Sequence, residues 1–274
     1  MREIAVKVCG ITTVEDALTC CAAGATVIGL NFAMGPRKIS IGDGVTIARA
    51  VPGLARIVGV FVDADPQEVL RAAELCNLDY VQLHGSEGRE YMERLDGLRI
   101  IKACRPAPSA RSGYPCRSIR MEQTGVLHRT KPDEFDRLVE DLLDIALVPN
   151  VAYLLIDAYV PGVYGGTGVE ADWSVAAAVG SAMTRCGLRT PGESFTGLAI
   201  AGGLGPGNVG HCVEVVQPDM VDLNSLVEAS PGRKNPGRVA SAVAEVLRTQ
   251  ATLYERNGEC ELQYNTTGGD ELGR

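Results

Sequence analysis

The chain has 274 residues, a net charge of −8 and 46% apolar residues. A pI near 5.0 and a mean hydropathy of +0.06 exclude the basic surface of a general nucleic-acid binder, and no apolar run reaches the roughly 18 residues that span a bilayer. Nine cysteines form an odd set without repeated CxxC pairs or Cys/His zinc spacing, so the expectation is reduced thiols in the cytoplasm and no bound metal.

Met1-Arg2-Glu3 leads directly into a strand-like run, without the apolar stretch of a secretory leader. That run, "IAVKVC" (4–9), is followed by "TVIGLNF" (26–32), "ARIVGVFV" (55–62) and "LDYVQLH" (78–84). Then come "LRIIKAC" (98–104), "VAYLLID" (151–157), "TGLAIAGG" (196–203) and "DMVDLNS" (219–225), eight in all. Several are apolar at nearly every position, as parallel strands covered on both faces require.

Helical patterns fill the gaps. "VEDALTCCAAG" (14–24) has acidic residues near its start and Gly24 as a stop signal. "DPQEVLRAAELC" (65–76) offers Asp65 as N-cap and Pro66 at the first helical position. "DEFDRLVEDLLDIAL" (133–147) gathers Phe135, Leu138, Leu142, Leu143 and Ile145 largely on one face, and "PGRVASAVAEVLRT" (236–249) closes the set. The alternation predicts an α/β fold with a parallel sheet, and eight strands suggest a closed (β/α)8 TIM barrel over 1–249. An open, doubly wound sheet is the alternative, although "VCGITTVED" lacks the glycine spacing of a dinucleotide fingerprint.

Two stretches stand apart. Residues 105–132, between strand 5 and its helix, are rich in Pro, Ser and Arg and longer than an ordinary βα loop. This insertion has a net charge of +5; it reads either as a solvated loop without a role or as a basic fringe that would steer an anionic substrate. Residues 250–274 read as a polar, frayed tail.

Barrel active sites lie where the strands end. Here those ends carry Cys9, Asn31 with Arg37 in the next loop, Asp63, His84, Lys102, Asp157, Gly202-Gly203 and Asp222 to Ser225. A thiol, an arginine, a histidine and a carboxylate on one face could bind an anion and move protons. Lys7, two residues before Cys9, shares its face and is a candidate to favour the thiolate, or else an ion-paired barrel lysine. The glycine loops "GVYGGTG" (162–168, with Gly165 and Gly166), "IAGGLGPGNV" (200–209) and "NSLVEASPGRK" (224–234) predict backbone N–H groups around a phosphate. His128 and His211 fall outside these positions, and Trp173 is expected to pack at the start of the sixth helix.

These segments resemble the phosphoribosylanthranilate isomerase family. The resemblance rests on "KVCGITTVEDA", "IGLNF", "GPRKIS", "VGVFVDA", "DYVQLHGSE", "LLIDAYVPGVYGGTGVEADW", "IAGGLGPGNV" and "PDMVDLNSLVEASPGRKNP", in the family's order from residue 4 to about residue 248. It implies a (β/α)8 fold and a cofactor-free Amadori rearrangement in tryptophan biosynthesis, acting on a small phosphosugar-anthranilate. No nucleic acid, membrane or metal is implied, and monomer and homodimer both stay open. The resemblance makes Cys9 the general base and Asp157 the general acid. It gives Arg37 the anthranilate carboxylate and places His84, Gly165, Gly166, Gly202, Gly203, Asn224 and Ser225 around the substrate, with Lys7 nearby.

The sequence departs from the family pattern where Gly35 stands for a usual serine. It departs again in "DLNSLVE", where Asn224 replaces a serine and Leu226 a glycine. A leucine cannot take positive φ cheaply, so an altered strand-8 loop is expected. Two further readings compete. Another phosphosugar barrel would favour paired aspartates or metal-binding histidines at the strand ends. A non-catalytic sugar-phosphate binder would not need Cys9, Arg37 and Asp157 together.

Overall fold

In the computed structural model, residues 3–106, 134–158, 171–189 and 195–267 are described, with side chains to residue 256 in the last helix. Most of the basic insertion, the loop holding Gly165 and Gly166, and His128 lie outside the described residues.

Eight parallel strands close into one barrel in sequence order. They are β1 (Ala5–Val8), β2 (Val27–Asn31), β3 (Arg56–Phe61), β4 (Tyr80–Leu83), β5 (Ile100–Cys104), β6 (Val151–Ile156), β7 (Gly197–Ile200) and β8 (Met220–Leu223). Each lies inside one of the eight apolar runs. The open-sheet alternative fails because β1 pairs with β8 along Ala5↔Met220 to Val8↔Leu223. Closure removes both sheet edges and leaves no crevice between diverging strands.

Among the described residues eight helices wrap the barrel: α1 (Val14–Ala22), α2 (Ile41–Ala50), α3 (Pro66–Cys76), α4 (Arg89–Glu93), α5 (Glu134–Ala146), α6 (Trp173–Arg185), α7 (Val209–Val216) and α8 (Pro236–Thr267). Their starts follow local chemistry. Asp65 caps α3 by accepting from Gln67 N at 2.8 Å, with Pro66 in the first turn. Ser40 and Asp43 cap α2 reciprocally. Trp173 opens α6 and meets His211 edge-on, ring centroids 5.6 Å apart.

The large core cluster lies between strands and helices, with Val8, Ile28, Leu30, Leu154, Ile156, Leu198 and Val221 nearly solvent-free. Burial of such a side chain contributes about 1.5–3 kcal/mol. Alternate residues turn inward: Val27, Val58, Tyr80, Ile101, Ala103, Leu155, Ala199 and Met220 form a second cluster inside the barrel. That period of two sets which side chains face the mouth.

Two features differ from the sequence reading. The first part of the expected tail, residues 250–267, continues α8, where Gln250 and Leu253 are buried and Gln250 Oε1 accepts from Ile4 N at 2.9 Å; residues 268–274 lie outside the described residues. The loop after β8 is also more ordered than a glycine loop. A 3-10 turn (Ser225–Val227) runs into a small antiparallel pair, β9 (Glu228–Ser230) and β10 (Arg233–Lys234).

Candidate active site

Cys9 follows β1 directly and is 7% exposed. Its N–H donates to Leu223 O at 2.8 Å, and Ile11 N donates to Gly29 O at 3.0 Å, so the "CGI" segment is threaded between β8 and β2. Glycine is required at two neighbouring points. A Cβ on Gly29 would lie 2.8 Å from Cys9 Sγ. Gly10 has φ +73°, and a Cβ there would lie 2.6 Å from Arg37 Cδ and 2.9 Å from Asn224 Oδ1. The thiol and the arginine approach each other only because these positions lack side chains.

Lys7 lies one inward position below Cys9 and is fully buried. The β1–β8 register sets it opposite Asp222, and its Nζ meets Asp222 Oδ2 at 2.5 Å. Its ammonium interacts with Asp222 and with the Cys9 thiol above it. Burial alone would lower the Lys7 pKa, but Asp222 and Cys9 outweigh it and hold the ammonium charged. Burial pushes the Cys9 thiol up, Lys7 pulls it back, Asp222 pushes it up again and Lys234 opposes that rise.

Arg37 is joined edge-on to Glu228: Nε donates to Oε1 at 2.9 Å and Nη2 to Oε2 at 2.7 Å. Lys234 Nζ donates to the same Oε1 at 2.9 Å and to Asn224 Oδ1 at 3.2 Å. Burial would raise the Glu228 pKa, yet the hydrogen bonds from Arg37 and Lys234 prevail and hold it below the usual carboxylate range. The Gly232 N–H also donates to Glu228 Oε1, at 3.1 Å.

Across the mouth, Asp157 follows β6 and is 5% exposed. Its Oδ2 is 2.9 Å from His84 Nε2, and the other ring nitrogen of His84 is 2.9 Å from Gln82 Nε2. Asp157 Oδ1 accepts from Ala158 N at 2.8 Å. Gly202, at φ +89°, lets the β7 loop pack on this carboxylate, since a Cβ would lie 3.1 Å from Asp157 Oδ1 and 2.8 Å from Ala158 N. Gly203 also has positive φ, +58°, and its carbonyl accepts from Asn208 Nδ2 at 2.8 Å.

The altered strand-8 loop expected from Leu226 does not require positive φ: Leu226 lies in the 3-10 turn and is absent from the positive-φ positions of the described residues. Its side chain occupies space that Gly205 leaves, where a Cβ would be 2.8 Å from Leu226 Cβ. Lys102 faces away from the inward Ile101 and Ala103 and is tied to Glu87 at 2.8 Å and to Gly85 O at 2.8 Å. His211 is exposed on α7, with Glu214 3.9 Å away. No group of three metal-ligating side chains occurs among the described residues.

The sequence reading did not single out Gly29, Gln82, Glu228 or Lys234, and it named Asp222 only as a strand end. The available signal was charge inside apolar surroundings: one carboxylate and one lysine in "SLVEASPGRK", and Gln82 and Asp222 inside strands.

A closed (β/α)8 barrel with a thiol, a carboxylate–imidazole pair and an arginine on the C-terminal rim has the form of an enzyme of the barrel class. The family model for N-(5'-phosphoribosyl)anthranilate isomerase matches residues 6–127 and 118–245. A phosphoribosylanthranilate isomerase of Rubrobacter xylanophilus is 36% identical over 233 residues, covering 84% of this chain and 92% of the relative. The crystal structure of the isomerase from Thermotoga maritima superposes with a TM-score of 0.68 at 28% identity, covering 89% of this chain and 98% of that one. A second isomerase structure, in complex with reduced 1-(o-carboxyphenylamino)-1-deoxyribulose 5-phosphate, gives a TM-score of 0.65 at 27% identity over the same shares. The chain belongs to the phosphoribosylanthranilate isomerase family, an isomerase family of tryptophan biosynthesis.

Proposed function

We propose that this protein converts N-(5'-phosphoribosyl)anthranilate to 1-(2-carboxyphenylamino)-1-deoxyribulose 5-phosphate without a cofactor, with Asp157 as general acid and Cys9 as general base. The single observation that carries this reading is the pair of buried, titratable groups on one barrel rim, Cys9 beside Lys7 and Asp157 beside His84. Asp157 gives a proton to the furanose ring oxygen, and the C1'–O bond breaks to leave a protonated Schiff base. Cys9, as thiolate, removes the proton from C2'. The C2'–H electron pair forms the enolamine double bond, and the iminium nitrogen becomes neutral. Tautomerisation then gives the ketone.

Each group has support for its part. Lys7 favours the thiolate against the rise that burial imposes. His84 orients Asp157 and, at 2.9 Å, can exchange a proton with it. Arg37 keeps its end-on N–H pair for the anthranilate carboxylate, because Glu228 occupies Nε and one Nη2 position. Gly202, Gly203, Asn224 and Ser225, with Gly165 and Gly166, receive the phosphate mainly through backbone N–H groups. The odd set of nine cysteines without paired spacing favours reduced thiols in the cytoplasm. No helix among the described residues is long and apolar enough to cross a membrane.

The test is loss of phosphoribosylanthranilate fluorescence on adding purified protein, with the ketose product identified by mass spectrometry. Fluorescence that persists overturns the reading.

A further inference from the structure

The hairpin after β8 puts a second lysine behind the site. Lys234 is as buried as Lys7, with a side-chain exposure of 0%. Both ends of this residue are fixed: its backbone N–H donates to Asp16 Oδ2 of α1 at 3.2 Å, and its ammonium reaches Glu228 and Asn224. Glu228 is held in turn, because Arg238 Nη1 donates to its carbonyl and the Gly232 turn to its carboxylate. A buried lysine is costly unless a carboxylate neutralises it. Here that carboxylate is already bidentate to Arg37. A half-buried and a buried cation therefore share one anion; burial lowers the Lys234 pKa against the pull of Glu228, and with both cations charged the cluster keeps one uncompensated positive charge.

We propose that Glu228 and Lys234 are positioning residues: Glu228 clamps one edge of the Arg37 guanidinium, and Lys234 anchors Glu228 and supplies a surplus positive charge beside Cys9. The route to Cys9 is short. Lys234 touches Asn224, whose Oδ1 would meet a Cβ on Gly10, next in sequence to the thiol. The groups facing Cys9 are Lys7 on β1, Asp222 on β8, Lys234 on β10 and Arg37 in the loop after β2. The His84–Asp157 pair lies farther across the mouth and acts on Asp222. Lys7 and Asp222 balance in formal charge, although Lys7 acts more strongly on the thiol than Asp222 or Lys234 does, so the formally uncompensated cation belongs to the Arg37–Glu228–Lys234 group.

The charge role and the clamp predict opposite signatures. Lys234→Met removes the surplus charge, and Glu228→Gln enlarges it while keeping the side-chain shape. The thiol is read by iodoacetamide alkylation of Cys9 across pH, resolved by peptide mass spectrometry because other cysteines react. In Lys234→Met the pH midpoint of Cys9 alkylation should rise by about 1 unit, and in Glu228→Gln it should fall by about as much. Lys234→Arg should keep the wild-type midpoint. Kinetically, Glu228→Gln should raise KM about 10-fold with a smaller change in kcat, since it frees the arginine that receives substrate. Equal midpoints, or shifts of the same sign, overturn the charge role. An unchanged KM in Glu228→Gln overturns the clamp. If Lys234→Met does not fold, Glu228→Gln alone decides both points. The kinetic arm rests on the proposed isomerisation, but the alkylation arm reads the charge around Cys9 whether or not Cys9 is the base.

Discussion

The two sides of the barrel mouth hold a titratable group in different ways. On the β1–β2–β8 side, Cys9 is surrounded by fixed charges: Lys7 against Asp222, and Arg37 with Lys234 against Glu228. On the β4–β6–β7 side, Asp157 meets one imidazole, and that imidazole meets one amide. In the first arrangement burial holds the thiol above its ordinary value, and Lys7 and Lys234 oppose that rise. The second can give or take a proton without moving a heavy atom, because a histidine ring has both a donor and an acceptor state. Such different surroundings suit the different parts proposed for Cys9 as base and Asp157 as acid.

The largest effects should come from deleting either end of the contrast. Cys9→Ala and Asp157→Asn should each lower kcat by at least about 10²-fold while circular dichroism and the melting transition stay close to wild type. A folded Cys9→Ala protein with near wild-type kcat would remove the thiol from the chemistry.

Arg37→Lys sharpens the charged side. Lysine keeps the charge but cannot hold Glu228 and a substrate carboxylate bidentately at once. KM should rise about 10–100-fold, with kcat changed less, and steady-state kinetics would decide it. A larger fall in kcat than rise in KM would move Arg37 from binding to the reacting atoms.

The corner proposed for the phosphate offers a further test. Gly203 has φ +58°, so Gly203→Val adds both strain and bulk, whereas Asn224→Ser keeps a small polar side chain. Gly203→Val should raise KM more than Asn224→Ser does. Equal, small effects in both variants would take the phosphate away from this corner.

The smallest effect concerns Cys20 on α1, a thiol without a paired lysine. Burial pushes its pKa up to about 12, and Lys234 opposes this only in part. The folded state therefore keeps a proton that the unfolded chain releases above an ordinary thiol value near 9. In that window the unfolded state binds fewer protons, so stability falls as pH rises. Thermal melts at about pH 8 and about pH 10 should show a drop in Tm, and Cys20→Ala should make the drop smaller. An identical drop in both proteins would assign the alkaline loss to other groups.

The sequence by itself determined the elements and most of the rim. Strands buried on both faces are apolar at nearly every position, and Asp65-Pro66 and Gly24 mark helix ends through local backbone chemistry, so a one-dimensional reading finds them. Cys9, His84 and Asp157 were legible for the same reason: each directly follows a strand, and strand ends share one rim. Resemblance added their roles. Only the tertiary structure decided closure, which needed the β1–β8 register, and with it the Lys7–Asp222 pair, from residues 215 apart. Only the tertiary structure joined Arg37 to Glu228, 191 residues away, and made Gly29 the space for a thiol on a neighbouring strand. It also carried α8 past residue 249, where a polar sequence hides Gln250 and Leu253 against the barrel. Charge pairing and close approach depend on distance through space, and a pattern of hydrophobicity along the chain carries no record of that distance.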